Sequence, residues 1–321
     1  MKKYNKMRFY KCFIIIVLFF AIYKIKLSIS SKNQEIEKTI NENNNNNKNP
    51  YFRKDLTEKL LFMRHGQTQF NSDKDLLSRR TNPKYLDCKL SNIGIKQAKA
   101  KQRILNLLTL EKVYVSPFYR ALQTLTYSLE KHPNKNNIIA IVTPYVSEIA
   151  NCVNDYILDI KKTKKDFNMY SRIKIDWTYF EEYIRKSKYD ENFYYFNNLD
   201  CFDEYDKNKT YYELKNFYDN GNIDKLKIGL TKMAELRFEK KKSFESLLNA
   251  QTRFIKFVNY IKIKHKNTLG NKKQKIFVFS HSCFMNVATN MTKYKSKKIQ
   301  KFNKGYNPKN CEILSYIIRF S

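Results

Sequence analysis

Residues 59–71 read KLLFMRHGQTQFN, and this stretch decides how the rest of the chain is interpreted. The apolar run that precedes Arg64 is typical of a short buried strand. Arg64 and His65 follow this run, and Gly66 allows the chain to turn sharply there. An arginine can bind phosphate oxygens through two parallel hydrogen bonds, and a histidine can act as a nucleophile. The stretch therefore predicts a phosphate site at the end of a strand.

Short polar side chains and a second histidine extend this pattern. Thr68 and Asn71 supply hydrogen-bonding groups just beyond the first turn. Near the C terminus, the apolar run at 275–280 is followed by His281 and then by a predicted helix. The order of strand, histidine, small residue and helix thus occurs twice, which places two histidines at strand ends.

A third motif carries a further arginine. The predicted strand at 113–116 runs into a helix in which Ser116 is the expected N-cap and Pro117 the first residue. Arg120 lies in the first turn and points away from the apolar stripe of that helix. A helix N-terminus favours anions, so Arg120 is a candidate phosphate ligand. The alternative is a solvated surface arginine.

Taken together, these motifs resemble those of the histidine phosphatase superfamily in its phosphoglycerate-mutase-like branch. The resembling blocks are Arg-His-Gly-x-Thr, Leu-Ser-x-x-Gly-x-x-Gln-Ala at 90–98, Ser-Pro-x-x-Arg-Ala-x-x-Thr at 116–124 and the later histidine. The resemblance covers about residues 59–150 and 243–320. It implies a three-layer α/β/α fold with a mostly parallel central sheet. The alternation of strands and helices independently indicates an α/β sheet with helices on both faces.

The resemblance also implies a role for each matching residue. His65 would attack the phosphorus and form a phosphohistidine, and Glu148, after the predicted strand at 138–142, would protonate the leaving oxygen. The other matching residues would bind the phosphoryl group: Arg64, Thr68, Asn71, Arg120 and His281. Of these, His281 would also be catalytic. The alternative for Glu148 is a surface glutamate. No cofactor or metal ion is implied, because phosphoryl transfer mainly requires positioning and electrostatic stabilisation.

The predicted function is that of a metal-independent phosphomonoester hydrolase, with two alternatives. In the mutases of the family, the glutamate is followed by an arginine and a Tyr-Gly pair. Residues 149–152 of this chain are Ile, Ala, Asn and Cys, which disfavours phosphoglycerate mutase activity. The second alternative is a catalytically silent phosphate-binding scaffold at a membrane, because Ser282 replaces the glycine that usually follows the second histidine.

The composition indicates which classes of binding partner are expected. The 62 lysines and arginines against 30 acidic residues give a formal net charge of +32, which could serve nucleic acid, an anionic membrane or an anionic substrate. No nucleic-acid-binding motif is present, and lysine and asparagine are abundant throughout, so nucleic acid is not an expected partner. The six cysteines form no CxxC pair and the four histidines are far apart in sequence, which disfavours a zinc site.

The chain divides into three predicted regions. Residues 1–27 combine a basic start with an apolar run and are interpreted as a signal-anchor or signal peptide. Residues 28–50 form an asparagine-rich tether, and residues 51–321 form the phosphatase-like domain, expected on the lumenal or extracellular side of a membrane. The domain contains an insertion at 153–242, which is either a cap over the pocket or a partly disordered segment. The phosphomonoester substrate is a small molecule or a protein.

Overall fold

The computed structural model describes six stretches of the chain, namely residues 56–75, 78–110, 112–239, 244–265, 276–294 and 307–320. The predicted anchor at 1–27 and tether at 28–50 lie outside these residues, so membrane attachment stays a prediction. Within the described stretches, no helix is long and apolar enough to cross a bilayer.

The described part of the domain is built on a six-stranded sheet. Its strands are β1 (Leu56–Arg64), β2 (Lys112–Val115), β3 (Ile139–Val142), β4 (Lys174–Asp176), β5 (Ile276–Ser280) and β6 (Ile313–Phe320). The strand order is β4-β3-β2-β5-β1-β6. β6 is antiparallel to β1, and the other neighbouring strands are parallel. This order confirms the predicted mostly parallel sheet and places the carboxyl ends of β1, β5 and β2 side by side.

Helices connect and cover these strands. The α-helices in the described stretches are α1 (Gln69–Ser72), α2 (Ser78–Thr81), α3 (Asn92–Ala100), α4 (Gln102–Leu105), α5 (Tyr119–Leu129), α6 (Ile160–Tyr170), α7 (Thr178–Arg185), α8 (Glu204–Asp219), α9 (Ile223–Glu239), α10 (Leu247–Lys264) and α11 (Ser282–Tyr294). Short 3₁₀ turns lie at Pro83–Tyr85, Lys135–Asn137, Pro144–Val146, Val153–Asp155 and Glu191–Asn198.

The alternation of apolar side chains along each strand supplies two separate cores. On β1, Met63 belongs to one core and Phe62 to the other. Successive strand residues point to opposite faces of a sheet, so one core contains the apolar side of α5 and the other contains α10 and α11. Helices therefore cover both faces, which confirms the predicted three-layer α/β/α arrangement.

The predicted insertion contributes to this architecture. Its residues 153–239 form α6 to α9, and β4 extends the central sheet beside β3. Large aromatic side chains from this region are buried in the same core as α5: Trp177, Phe180, Phe193, Tyr194 and Phe196. Asp55–Ser321 accordingly forms one compact unit, and the described part of the insertion shares its core.

Candidate active site

Neighbouring strand ends bring the two predicted histidines together. β1 ends at Arg64 beside Ser280, the last residue of β5. The backbone N–H of His65 donates to the Ser280 carbonyl at 3.0 Å. The ring centroids of His65 and His281 are 5.3 Å apart, and both residues are buried. The carboxyl edge of a parallel sheet is the usual position of a ligand site in α/β folds.

One hydrogen bond defines the tautomer of His65. Its Nδ1 lies 2.7 Å from the carbonyl oxygen of Gly66. A carbonyl only accepts hydrogen bonds, so Nδ1 carries the proton and Nε2 keeps its lone pair. Burial, followed by the positive charges of Arg120 and Arg64, lowers the pKa of His65 well below its ordinary value. The ring is therefore neutral, which is the form that can attack an electrophile.

The second histidine, His281, is bound to Ser116, which the sequence analysis predicted to be a helix N-cap. Nε2 of His281 is 2.7 Å from Oγ of Ser116. The predicted capping role of Ser116 is wrong, because α5 begins at Tyr119 and has Phe118 at its N-cap without a side-chain cap. If the Ser116 hydroxyl donates to Nε2, the proton of His281 lies on Nδ1. That atom is buried and has no hydrogen-bond partner among the described residues.

Two arginines complete the positive side of the site, of which Arg120 is buried and Arg64 is half-buried. Arg64 donates from Nη1 to the Pro308 carbonyl at 2.8 Å. Arg120 donates from Nη1 to the Asn154 carbonyl at 2.6 Å and from Nη2 to Oδ1 of Asp155 at 3.0 Å. Arg120 is only 1% exposed, so the surface alternative is wrong. The Nε atoms of both arginines are buried without a partner in the described stretches, and they remain able to donate to an oxyanion.

Asp155 is a site residue that the sequence analysis missed. Its Oδ2 accepts hydrogen bonds from the backbone N–H groups of Asn151 and Cys152, both at 3.0 Å. Burial raises the pKa of Asp155 to about 7, against the lowering effect of Arg120. Burial also raises the pKa of Asp87 to about 7, again with Arg120 as the nearby cation. No motif marks either residue, although a buried arginine requires an acidic partner.

Glu148 lies at the start of the helix that follows His281. Its carboxylate accepts hydrogen bonds from the backbone N–H groups of Ile149 at 3.0 Å, Phe284 at 2.9 Å and Cys283 at 3.3 Å. The last two residues belong to the first turn of α11. Glu148 is thus fixed beside the histidine pair, and its proposed part in proton transfer stays a prediction.

A buried arginine that the sequence analysis also missed supports the segment before Glu148. Arg253 of α10 donates from Nη1 to the carbonyl oxygens of Tyr145 and Ser147, both at 3.1 Å. The same guanidinium pairs with both oxygens of Glu245, at 2.6 and 3.0 Å. Arg253 therefore holds the turn that presents Glu148 and neutralises the buried Glu245.

Thr68 and Asn71 bind to each other. The Thr68 hydroxyl accepts from the Asn71 backbone N–H at 3.2 Å, and Oδ1 of Asn71 accepts from the Thr68 backbone N–H at 3.2 Å, which forms a capping box at α1. The Thr68 hydroxyl also donates to Oδ1 of Asn71 at 3.0 Å. Among the described residues, no hydrogen bond joins either side chain to the histidines or to Arg64 and Arg120. Their proposed contact with a phosphoryl group stays a prediction, for which the Asn71 Nδ2 atom is the suitable donor.

The second resembling block, residues 90–98, contacts the catalytic loop, which is the turn at residues 66–68 that follows His65. The Gln67 N–H donates to Oε1 of Gln97 at 2.9 Å, and the Ser91 N–H donates to the Gln67 carbonyl at 2.9 Å. Ser91 caps α3, as the sequence predicts. Gly94 lies so close to the loop that a Cβ built on it would be 1.9 Å from the Gln67 carbonyl oxygen. The block therefore fixes the turn that follows His65.

A cavity of about 490 Å³ opens beside this site. Ile149, Asn151 and Cys283 line one part of it, and Leu247 and Val287 line another. Ile149 and Cys283 also donate to the Glu148 carboxylate, so the cavity adjoins the predicted proton donor. Across the described stretches, no group of three or more His, Cys, Asp or Glu side chains could hold a metal ion.

Comparisons with known proteins find similarity over part of this chain. The family model of the histidine phosphatase superfamily (branch 1) matches residues 60–150. Fructose-2,6-bisphosphatase TIGAR B of Danio rerio is 36% identical over 93 residues, which are 29% of this chain and 34% of that protein. The aligned segment thus spans about a third of the length of this relative.

Solved structures show more distant likenesses. A phosphoglycerate mutase from Bacillus anthracis aligns with 82% of this chain and 89% of its own, at 14% identity and a TM-score of 0.42. A mycobacterial glucosyl-3-phosphoglycerate phosphatase aligns with 80% of this chain and 90% of its own, at 12% identity and a TM-score of 0.41.

Proposed function

We propose that this chain, whose residues 60–150 match the family model of the histidine phosphatase superfamily (branch 1), hydrolyses phosphomonoesters through a phosphohistidine on His65. The observation that carries the proposal is the neutral His65 ring near Arg64 and Arg120, whose Nδ1 is bound to Gly66 and whose Nε2 keeps its lone pair. The match with a bisphosphatase over 93 residues favours hydrolysis over the mutase alternative.

In the first step, Nε2 of His65 attacks the phosphorus and the bond from phosphorus to the leaving oxygen breaks. Glu148 gives its proton to that oxygen, so an alcohol leaves. Arg64, Arg120 and His281 donate hydrogen bonds to the phosphoryl oxygens, on which negative charge is concentrated. The burial of Arg120 and His281 increases the strength of their interactions, because the local dielectric constant is low.

In the second step, a water molecule attacks the phosphohistidine. Glu148 takes a proton from the water, the bond from phosphorus to nitrogen breaks, and inorganic phosphate leaves. The neutral His65 and the protonated Glu148 are restored, so the cycle closes. No step in this scheme is assigned to a metal ion or a cofactor.

The test measures phosphate release by the purified full chain in the presence of EDTA, across sugar phosphates, nucleotides, phosphoglycerates and phosphopeptides. We expect release that persists in EDTA and is abolished in His65→Ala, because only His65 supplies the nucleophile. Glu148→Gln should slow alkyl phosphates by about 10²–10⁴-fold and p-nitrophenyl phosphate far less, since nitrophenolate leaves without a proton.

Circular dichroism and thermal unfolding serve as the control for both variants, which should fold like the natural chain. Turnover that survives in a folded His65→Ala protein would refute the mechanism. A folded natural chain that releases phosphate from none of these compounds would favour the scaffold alternative.

A further inference from the structure

A second cavity, of about 340 Å³, is lined by residues of α7, α10 and the turns beside them. We name it the tyrosine cavity. Its volume lies in the range of about 300–1,000 Å³ that is usual for small-molecule sites. Its described lining residues include none to which the proposed mechanism assigns a role in phosphoryl transfer. Six lining residues supply the contacts that matter below: Tyr145, Tyr179, Tyr183, Asn198, Asn249 and Arg253.

Three tyrosine rings lie together in the lining of this cavity. The ring centroid of Tyr145 is 6.1 Å from that of Tyr179 and 5.6 Å from that of Tyr183. All three residues are half-buried, so the protein covers part of each ring. A tyrosine has an apolar ring and a polar hydroxyl at its tip. Such a group of rings can pack against the C–H face of a saturated ring and also bind its polar substituents.

Asparagine amides supply hydrogen-bonding groups in the same lining. Asn198 is only 6% exposed, and its side chain forms no hydrogen bond with the residues that the structure describes. Asn249 donates from Nδ2 to the Asn198 carbonyl at 2.8 Å, which leaves its Oδ1 able to accept another hydrogen bond. An amide both donates and accepts hydrogen bonds, and so does the hydroxyl group of a sugar or polyol. A buried amide without a partner is costly, so the Asn198 side chain is suited to a ligand.

The exposed charges in the lining are of both signs. Glu182, Lys186 and Lys256 line the cavity, and all three are exposed. An anion would meet the Glu182 carboxylate as well as the lysines, so these charges do not favour a charged ligand. Together with the tyrosines and the amides, they indicate an uncharged ligand that carries several hydroxyl groups.

A buried ion pair connects the tyrosine cavity with the cavity beside Glu148. Arg253 lines the former and Glu245 lines the latter. These residues are 3% and 1% exposed, and they form hydrogen bonds of 2.6 and 3.0 Å. The same guanidinium donates to the carbonyl oxygens of Tyr145 and Ser147. A ligand that excludes water beside Arg253 strengthens these bonds, because electrostatic interactions are stronger where the dielectric constant is low.

We propose that the tyrosine cavity binds a sugar or another polyol, and that this ligand stabilises the turn that presents Glu148. The hydroxyl groups bind Asn198 and Asn249, the C–H face of the ligand packs against the tyrosines, and Arg253 connects the ligand to the turn. The binding site goes beyond the proposed phosphatase function, whereas the effect on Glu148 rests on that function.

The binding test uses the purified full chain and neutral probes without a phosphoryl group: methyl α-D-glucopyranoside, methyl α-D-mannopyranoside, myo-inositol and maltose. Tetrahydropyran-2-methanol is the matched control compound, because it has the sugar ring without the ring hydroxyls. Saturation-transfer NMR and calorimetry measure binding. We expect at least one probe to bind with a Kd of about 1 mM or tighter, and the control compound to bind at least about tenfold more weakly. Saturable binding by none of the four probes, or equal binding of the control compound, would overturn the proposal.

Two variants place the ligand in the cavity. Asn198→Leu should weaken binding by about two- to tenfold, because a hydrogen bond is lost. Lys256→Trp should abolish binding, since a large ring at this exposed position fills the entrance, and it keeps the test decisive if Asn198→Leu does not fold. Asn259→Leu and Ile255→Trp introduce the same side chains at exposed positions of α10 outside the lining, and they should bind like the natural chain. Natural affinity in both folded cavity variants, or equal losses in the controls, would overturn the assignment.

Kinetics test the effect on Glu148. The readout is the ratio of kcat for n-propyl phosphate to kcat for p-nitrophenyl phosphate, since only the former requires a proton from Glu148. A saturating probe should raise this ratio by at least about fivefold, which is the lower end of usual coupling between sites. Lys256→Trp should remove the response and Ile255→Trp should retain it. An unchanged or lower ratio would refute the effect on Glu148, whereas probe binding by a chain that hydrolyses no phosphomonoester would refute the phosphatase function and support the binding site.

Discussion

Replacement of Gly94 by alanine tests whether α3 positions the catalytic loop. A Cβ at this position would lie 1.9 Å from the carbonyl oxygen of Gln67 and 2.8 Å from its nitrogen. Both are backbone atoms of the loop that follows His65, so no flexible side chain can move aside. Ordinary van der Waals contact begins at 3.4 Å, and the two segments must therefore separate by about 1.5 Å.

The expected loss can be estimated from that separation. The loop is tied to α3 through the hydrogen bonds of Gln67 with Gln97 and Ser91, so it moves with the helix or loses these bonds. A misplacement of about 1 Å can lower a catalytic rate by about 10²-fold. Overpacking also lowers the free energy of unfolding by about 1–3 kcal/mol. We therefore expect Gly94→Ala to lower kcat by about two orders of magnitude and to reduce Tm by several degrees.

The assay is steady-state hydrolysis of p-nitrophenyl phosphate, together with thermal unfolding. Gly221→Ala is the matched control, because Gly221 has a φ of +67° and a Cβ added there would meet no atom within 4 Å. The left-handed backbone makes alanine unfavourable there by about 1–2 kcal/mol, so this variant loses stability without a change at the site. If Gly94→Ala loses stability like the control but keeps the natural kcat, α3 does not position the loop.

Two further predictions concern charged groups around the site. Arg253→Lys should reduce kcat for alkyl phosphates more than for p-nitrophenyl phosphate, because a lysine cannot hold both carbonyls of the turn before Glu148; an equal reduction for both substrates would mean that Arg253 only supports the fold. As the pH rises through about 7, Asp155 ionises and neutralises part of the Arg120 charge, so calorimetric affinity for sulfate should fall. Asp155→Asn should flatten this pH dependence more than Asp87→Asn does, because only Asp155 pairs directly with Arg120; an unchanged slope in Asp155→Asn would contradict the assignment.

The sequence predicted the residues that local pattern places at strand ends. Arg64, His65 and His281 each follow an apolar run, and parallel strands bring their carboxyl ends to one edge of the sheet. This reasoning needs only strand assignments and a parallel arrangement. The histidine pair was predicted in this way, but the strand order was not. In the structure, β5 lies between β1 and β2.

The contacts that support these residues could not be predicted in the same way. Ser116 binds a histidine that is 165 residues away along the chain, and Asp155 pairs with Arg120 across 35 residues. Neither distance corresponds to a helical or strand period, so no sequence pattern marks the pairs. Local capping rules even favoured another role for Ser116. Residues that are distant in sequence were predicted to meet only where both of them belonged to a recognised motif, as His65 and His281 do.

The charge arrangement explains why the site requires so many backbone contacts. Arg64, Arg120 and His281 are placed around His65, and burial together with the arginine charges lowers the pKa values of both rings. The two arginine charges oppose each other in the free protein, since like charges repel and the desolvation of Arg120 is costly. Hydrogen bonds from the C-terminal segment stabilise the residues around His65 despite this repulsion. The Asn310 side-chain amide and the Cys311 backbone N–H donate to the His65 carbonyl at 3.1 and 3.3 Å. A phosphoryl dianion reverses the balance, because it is attracted by the same charges that oppose each other in its absence. The repulsion that the backbone contacts withstand is therefore also the source of affinity for the group to be transferred.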